Sequence, residues 1–223
     1  MNRVFLLSPA NCNGLRARQV LGKNSRSALS IRLRGAGVPL GEVFTYLSAL
    51  YFRGKLAYAR AFAEPPSGCP GIFIITPTRG LMAHDHLIQL PRLRGFSRVP
   101  ISARNVTYRA ALQHSARKLA GELRADCDLV LLGSVATGKY LDVLTPIFGS
   151  RLRIPAEFVG LGDMSRGGLL LRCVREHRQL NYIEAAAFST SATKRSLCDQ
   201  PIIATLSGAC HDDHAIFRDP KSD

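Results

Sequence analysis

LVLLGSVATGKY, residues 129–140, joins a short apolar run to a polar, glycine-containing loop that leads into a helical pattern. The same order of features follows three other apolar runs: Val4–Leu7, Ile72–Ile75 and Phe158-Val159. Short apolar strands alternating with helices are typical of a parallel sheet covered on both faces. The sequence therefore predicts a three-layer, mostly parallel, Rossmann-like α/β fold. A ligand-binding crevice is expected where the loops at the carboxyl ends of the strands gather.

The bulk properties of the chain indicate one domain. Its 223 residues, 46% of them hydrophobic, suffice for one α/β core, which we place at residues 1–185. The Ser/Thr/Ala-rich segment 186–223 is expected to be a peripheral or poorly ordered tail. No apolar run approaches the ~18 residues of a membrane helix, so we expect a cytoplasmic protein without membrane contact. Six scattered cysteines without a Cys-x-x-Cys pair argue against a disulfide framework.

Hydrophobic periodicity and turn residues predict the individual elements. Strands are expected near residues 3–8, 71–76, 128–133 and 153–160, with a short edge strand near 181–184. Helices are expected near residues 27–34, 42–63, 103–123, 139–148 and 163–178. Ser102 and Asp163 are the expected caps of two of them. A long Pro- and Arg-rich loop is expected between the second strand and Ser102.

Positive charge is concentrated in the first half of the chain. Residues 1–121 carry 18 Lys/Arg and three acids, whereas residues 122–223 carry 12 Lys/Arg and 13 acids. The electrostatic field of this basic half attracts polyanions, so nucleic acid is the favoured partner, and DNA is favoured over RNA. A protein that is merely basic is the alternative. The predicted nucleic-acid-binding residues lie in one segment: Arg16, Arg18, Lys23, Arg26, Arg32 and Arg34.

The loop after the third strand matches the spacing of a phosphate-binding loop. Gly133 to Lys139 has the form G-x-x-x-x-G-K between a strand and a helix. Tyr140 replaces the Ser or Thr that would ligate Mg²⁺, so an NTPase is not expected. Ser134 and Lys139 remain predicted ligand-binding residues, for an anion.

The other strand-end loops supply further candidates. Ser165 and Arg166 would place a hydroxyl and a guanidinium near a helix N-terminus, where the dipole favours an anion. The same turn is equally consistent with a capped helix whose glycines allow close packing. Asp163 is the best candidate for a catalytic general acid or base.

Two earlier loops add binding candidates and one nucleophile candidate. Asn11 could hydrogen-bond a base or sugar, and Thr78 with Arg79 suits a phosphate or sugar. Cys12 would serve as a nucleophile only if a neighbour lowered its pKa.

Two stretches contain metal-ligand types without forming a convincing site. These are His84-Asp85-His86 and Cys210-His211-Asp212-Asp213-His214. Histidines on a protein surface are commoner than histidine ligands, so we predict no metal site. The sequence indicates no cofactor.

Four segments resemble the YaaA-type peroxide-stress proteins. They are Leu6–Ala10, Arg79–Pro91, Lys139-Tyr140 and Gly162–Arg166, in similar order and spacing over about residues 3–170. Asn11 stands where that family has Lys, and Leu90-Pro91 lacks the following Tyr. The resemblance implies a DNA-binding protein linked to oxidative damage, with a crevice suited to a nucleotide or base. Small bacterial Rossmann-like domains linked to nucleobase or DNA processing are an equally good match.

Together these patterns give two functional hypotheses. The first is a nucleic-acid-binding protein whose strand-end crevice accepts a nucleotide or a flipped base. The second is an enzyme that acts on a free nucleotide, nucleoside or phosphorylated metabolite, with the positive charge incidental.

Overall fold

The computed structural model describes residues 2–135 and 138–186. The strands within them are β1 (Arg3–Leu7), β2 (Val38–Pro39), β3 (Ile72–Thr76), β4 (Gly80–Ala83), β5 (Leu87–Ile88), β6 (Asp128–Leu132), β7 (Leu152–Pro155) and β8 (Tyr182–Glu184). The helices are α1 (Leu15–Leu21), α2 (Ala28–Arg34), α3 (Leu40–Ser48), α4 (Leu50–Phe62), α5 (Leu90–Arg98), α6 (Val106–Glu122), α7 (Leu141–Phe148) and α8 (Asp163–Arg175).

Six strands form one sheet in the order β4-β3-β1-β6-β7-β8. The four central strands are parallel, and β4 and β8 pair antiparallel at the two edges. The pair β2 and β5 forms a separate two-stranded sheet. These pairings confirm the predicted α/β fold with a mostly parallel sheet.

Alternate residues of β1 face two different helical layers. Phe5 and Leu7 pack in a core shared with α1 to α5 and α8, whereas Val4 and Leu6 pack in a core shared with α6 and α7. All four side chains are fully buried. A strand buried on both faces requires this continuous apolar run, which is why the run was a reliable predictor.

The sheet has a topological switch point between β1 and β6. The chain leaves β1 toward the layer that contains α1 to α4, and it leaves β6 toward the layer that contains α7. Since β1 and β6 are neighbours, their following loops diverge and leave a gap between them. Ligands of open α/β sheets bind in such gaps.

Several predicted elements are confirmed. The apolar runs at β1, β3 and β6 are strands, and β8 is the expected edge strand. Helix α2 starts after Ser27, whose hydroxyl accepts a hydrogen bond from the Ser30 backbone N–H. The predicted tail lies outside the described residues, apart from Ala186. No helix in the described ranges is long and apolar enough to cross a membrane.

Other predicted elements are wrong in extent. The expected helix 42–63 is two helices, because Ala49 adopts a φ of 47° between α3 and α4. The expected long loop after β3 instead contains β4, β5 and α5. Pro91 stands in the first turn of α5, a position that proline tolerates, so it signalled a helix start and not a loop.

Two predicted caps and one strand end are also wrong. Asn105, and not Ser102, caps α6 by accepting a hydrogen bond from the Tyr108 N–H. Gly162 is the N-cap of α8, and Asp163 is the first helical residue. Strand β7 ends at Pro155, where a 3₁₀ turn over Ala156–Phe158 takes over.

Candidate functional site

A crevice of about 330 Å³ opens at the switch point. Its walls come from the loop 9–13 after β1, from Pro77 after β3, from the end of α5 with residues 99–101, and from Lys139 and Tyr140 before α7. This size lies at the small end of the range for ligand pockets, about 300–1,000 Å³. The predicted crevice is therefore present where the strand order reverses.

The crevice combines apolar walls with a few polar groups. Phe96, Val99 and Pro100 form an apolar side. Asn11, also in the wall, is exposed, and its side-chain oxygen accepts a hydrogen bond from the Asn13 N–H. The Lys139 ammonium lies 5.2 Å from the centroid of the Tyr140 ring. Flat apolar contacts beside a cation and an amide suit a heterocycle that carries a negative group.

A buried lysine lies beside this crevice. Lys55 of α4 is 1% exposed, and its ammonium donates hydrogen bonds to the carbonyl oxygen and the hydroxyl of Ser8, at 2.5 and 2.7 Å. The ring of Tyr51 lies 4.3 Å from the same nitrogen. In the described part of the chain, no carboxylate is within ion-pair distance of Lys55.

This environment makes Lys55 easy to deprotonate. Burial lowers the pKa of its amine to about 7, from an ordinary value of 10.5. Of the nearby charges, that of Asp163 acts most strongly and raises the pKa, whereas those of Lys139 and Arg166 lower it. A lysine of this kind exchanges a proton near neutral pH, which is a property of functional sites more than of cores.

Two glycines place Lys55 there by letting α4 and α8 approach closely. A Cβ on Gly54 would lie 2.8 Å from the Gly167 carbonyl oxygen, and a Cβ on Gly167 would lie 2.9 Å from the Tyr51 Cα. Neither site therefore tolerates a side chain without separating the helices. Gly54 precedes Lys55, and Gly167 follows Arg166, so the contact that packs the helices also sets the position of both cations.

Tyr140 is a buried tyrosine in the wall of the crevice, at 4% exposure. Burial raises the pKa of its hydroxyl above the ordinary value, whereas Ser8 lowers it to a smaller extent. The Tyr140 hydroxyl therefore stays protonated at neutral pH.

Arg166 and Asp163 are paired with protein groups. The Arg166 guanidinium is buried and donates to the Phe158 carbonyl oxygen at 2.9 and 3.2 Å. It also lies 3.4 Å from an Asp163 carboxylate oxygen. Asp163 remains largely exposed and Ser165 is exposed. Arg166 thus joins the end of β7 to α8, and neither Asp163, Ser165 nor Arg166 lines the crevice.

Three further predicted ligand residues lie outside the crevice lining. Thr78 and Arg79 form the turn between β3 and β4, with Arg79 exposed. Ser134 is half-buried after β6. Within the same loop, the Asp142 carboxylate lies against Gly138, and this negative charge disfavours a phosphate at the start of α7.

The basic residues form a surface beside the crevice. All six predicted cations, residues 16 to 34, are exposed. The Arg16 guanidinium donates to the Tyr46 carbonyl oxygen, and that of Arg18 donates to the Asn13 carbonyl oxygen in the crevice wall. Arg34 donates to the backbone of residues 22–25, and Arg32 pairs with Glu42.

Helix α5 extends this surface. It packs against α1 and α2 and contributes Arg92, Arg94 and Arg98, which the sequence analysis had assigned to a loop. We call α1, α2 and α5 the arginine helices, because together they carry seven arginines and no acid. Phe96 of α5 also lines the crevice, so the two features share a border.

The remaining candidates are one possible nucleophile and two stretches of metal-ligand types. Burial raises the pKa of Cys12 to about 12, so its thiol stays protonated and is a poor nucleophile. No group of three His, Cys, Asp or Glu side chains suited to a metal ion occurs among the described residues. The Cys210–His214 stretch lies outside them.

Comparisons of the chain with protein families, curated proteins and solved structures yield no match. The class of the protein therefore rests on its fold, a Rossmann-like three-layer α/β domain.

Lys55 was missed by sequence reasoning although a signal existed. It lies on the same helical stripe as Tyr51, Tyr58 and Phe62, at spacings of three and four residues. A lysine on an otherwise apolar stripe is a candidate buried cation.

Proposed function

We propose that this protein binds nucleic acid through the arginine helices and accepts a nucleotide or an unstacked base in the adjoining crevice. The observation that carries the proposal is the shared border: α5 presents arginines on its surface and Phe96 to the crevice. A polyanion backbone held by the arginines would place its bases within reach of that opening.

The charge distribution supports a polyanion over a small anion. Three contacting helices carry seven arginines and no acid, and among the described residues only Arg32 of the seven has an ion-pair partner, Glu42. A small phosphate needs two or three convergent donors, whereas cations spread over three helices, five exposed and two half-buried, match repeated phosphates. The crevice then adds apolar contacts on which a base can stack.

Salt dependence of binding tests the proposal. We would measure the anisotropy of labelled single- and double-stranded oligonucleotides between 50 and 300 mM KCl, a range over which phosphate contacts dominate. The double variant Arg16→Gln/Arg18→Gln should bind about tenfold more weakly at low salt and show a shallower salt slope, because up to two phosphate contacts are lost.

A matched control removes the same charge elsewhere. Arg172 and Arg175 are exposed near the end of α8, which starts after β7 and so runs toward the opposite edge of the sheet. The variant Arg172→Gln/Arg175→Gln should bind like the wild type. Equal weakening by both double variants would show that only net charge matters and would overturn the proposed surface.

A specific observation favours the second candidate function, an enzyme acting on a free nucleotide or nucleoside. The buried Lys55 amine, hydrogen-bonded to Ser8, provides acid–base chemistry that simple backbone binding does not require. Saturable stabilisation of the fold by nucleosides or nucleotides, without affinity for oligonucleotides, would favour this candidate.

A further inference from the structure

We propose that the crevice prefers an oxo base over the corresponding amino base: uracil or thymine over cytosine, and hypoxanthine or guanine over adenine. Asn11 and Lys139 are the residues that set this preference. The inference rests on the proposed function, because it assigns the kind of base that the crevice accepts.

The orientation of the Asn11 amide is fixed by its own loop. Its side-chain oxygen accepts a hydrogen bond from the Asn13 backbone N–H at 2.9 Å. Because the amide nitrogen cannot accept a hydrogen bond, this contact decides which end of the group is oxygen. The Nδ2 group has no hydrogen-bond partner among the described residues, and Asn11 is an exposed residue of the crevice wall. Asn11 therefore offers a ligand its N–H donors, while its oxygen is held by the loop.

Lys139 is a second donor of fixed polarity in the same wall. Its ammonium carries three N–H groups and cannot accept a hydrogen bond. In the part of the chain that the structure describes, this ammonium has neither a hydrogen-bond nor an ion-pair partner, and it lies 5.2 Å from the centroid of the Tyr140 ring. The two side chains of the wall whose polarity is fixed, Asn11 and Lys139, therefore both donate.

The other polar groups of the same loop do not favour an amino group on the ligand. The Asn13 side-chain amide has no partner within the described ranges, so it can turn either its oxygen or its nitrogen to a ligand. Two backbone acceptors are already engaged. The Asn11 carbonyl oxygen accepts from the Gly14 N–H. The Asn13 carbonyl oxygen accepts from the Arg18 guanidinium.

The geometry of a nucleotide decides which part of the base meets these donors. If the sugar and phosphate stay outside with the arginine helices, the base enters by the edge farthest from its sugar. That edge carries the group at C4 of a pyrimidine or at C6 of a purine, which is an oxygen acceptor in oxo bases and an N–H donor in amino bases. An amino base would bring its donor to the donors of the wall, and a donor left unpaired in an apolar crevice costs free energy.

Pairs of nucleosides that differ at this position test the preference. Calorimetry would compare the affinity for uridine with that for cytidine, and the affinity for inosine with that for adenosine. The wild type should bind each oxo nucleoside about tenfold more tightly than its amino partner, because the amino group cannot accept a hydrogen bond from Asn11 or Lys139. These nucleosides are uncharged at neutral pH, so net attraction by the arginine helices does not enter the comparison.

Asn11→Asp is the diagnostic variant. A carboxylate oxygen can still accept from the Asn13 N–H, so the loop keeps its turn, but an acceptor replaces the Nδ2 donors. The preference for uridine over cytidine should therefore disappear or reverse. Asn24→Asp is the matched control, because Asn24 is exposed, lies outside the crevice wall and undergoes the same change of charge. It should keep the wild-type preference.

Two results overturn the inference. One is equal affinity of the wild type for both members of each nucleoside pair. The other is a preference in Asn11→Asp that matches the preference of the wild type. The first result is measured on the wild type alone, so it does not depend on whether a variant folds.

Oligonucleotides distinguish failure of this inference from failure of the proposed function. Oligothymidylate and oligocytidylate of equal length carry the same number of phosphates, so fluorescence anisotropy should show equal salt slopes and tighter binding of oligothymidylate. Equal affinity for the two, with a steep salt slope, overturns the preference for oxo bases and leaves the nucleic-acid surface intact. Failure to bind either oligonucleotide or any of the four nucleosides overturns the proposed function, and this inference with it.

Discussion

Lys55 and the arginine helices are two groups of cations in opposite environments. Lys55 on α4 is 1% exposed and contacts the end of β1, whereas Arg16, Arg18 and Arg34 are exposed to water. Burial lowers the pKa of Lys55, whereas the arginines of the second group lie at the water-exposed surface. The two groups should therefore respond to different conditions. The protonation of Lys55 should depend on pH, and binding of nucleic acid by the arginine helices should depend on salt.

Ionic strength distinguishes the two groups for a physical reason. Salt screens exposed charges over about 8–10 Å, but it reaches a buried amine poorly. Moderate salt should therefore weaken oligonucleotide binding without changing the protonation of Lys55.

The largest expected effect is on stability at alkaline pH. The Lys55 pKa is about 7 in the folded protein and near 10.5 in the unfolded chain, so between these values only the unfolded chain holds the proton. The free energy of unfolding should therefore rise with pH across this interval, by on the order of 4 kcal/mol relative to Lys55→Met. Chemical denaturation of both proteins from pH 6 to 10 measures the difference. Parallel pH profiles would show that Lys55 has an ordinary pKa.

The next effect concerns the contact between α4 and α8. Gly167→Ala should lower the free energy of unfolding by about 1–3 kcal/mol, because the new methyl group meets the backbone of Tyr51. It should also raise the Lys55 titration midpoint as the helices separate. Gly168→Ala is the neighbouring control: a Cβ there meets nothing within 4 Å, so it should be neutral or stabilising. Denaturant midpoints that fall equally for both variants would contradict the close contact.

A third prediction separates the crevice from the surface. Ile101→Trp should fill the crevice, since Ile101 is a half-buried residue of its wall. Nucleoside affinity should fall about tenfold or more, whereas the salt slope of oligonucleotide binding should stay the same because phosphate contacts are retained. On the same preparation, calorimetry measures the nucleoside affinity and fluorescence anisotropy measures the salt slope of oligonucleotide binding. A changed salt slope would mean that the crevice and the arginine helices do not act separately.

The smallest effect concerns the one ion pair on the arginine helices. Glu42→Gln frees the exposed Arg32 guanidinium, and an exposed pair contributes little to stability, so the melting temperature should hardly change. Oligonucleotide binding should tighten about twofold, because one more cation faces the phosphates. Fluorescence anisotropy of a labelled oligonucleotide at low salt measures this change in affinity. Weaker binding by Glu42→Gln would place Arg32 outside the nucleic-acid surface.

Apolar patterning predicted the parallel sheet but not its connections. The strands β1, β3 and β6 are buried on both faces, so their apolar runs were unambiguous. The break at Ala49 escaped prediction because a positive φ at alanine has no sequence signature. Helix α5 escaped because arginines and a proline on a short amphipathic helix look like a loop.

The position of the candidate site was predictable from the sequence, but only some of its residues were. The strand-end rule located the crevice and placed Asn11 and Lys139 in its wall. It failed for Arg166, whose guanidinium is turned inward to the Phe158 carbonyl oxygen by the packing of α8. It also missed the Ser8 and Lys55 pair, 47 residues apart in sequence, which only the contact between α4 and the end of β1 brings together.

The crevice walls come from four stretches of chain, residues 9–13, 77, 96–101 and 139–140. No single helix, strand or loop contains them all, so the cavity exists only when these stretches have folded together. A ligand bound in the crevice therefore stabilises the whole domain against unfolding. It raises the free energy of unfolding by about 2.7 kcal/mol at one hundred times its dissociation constant, and amide hydrogens should exchange more slowly even on strands that the occupant never touches.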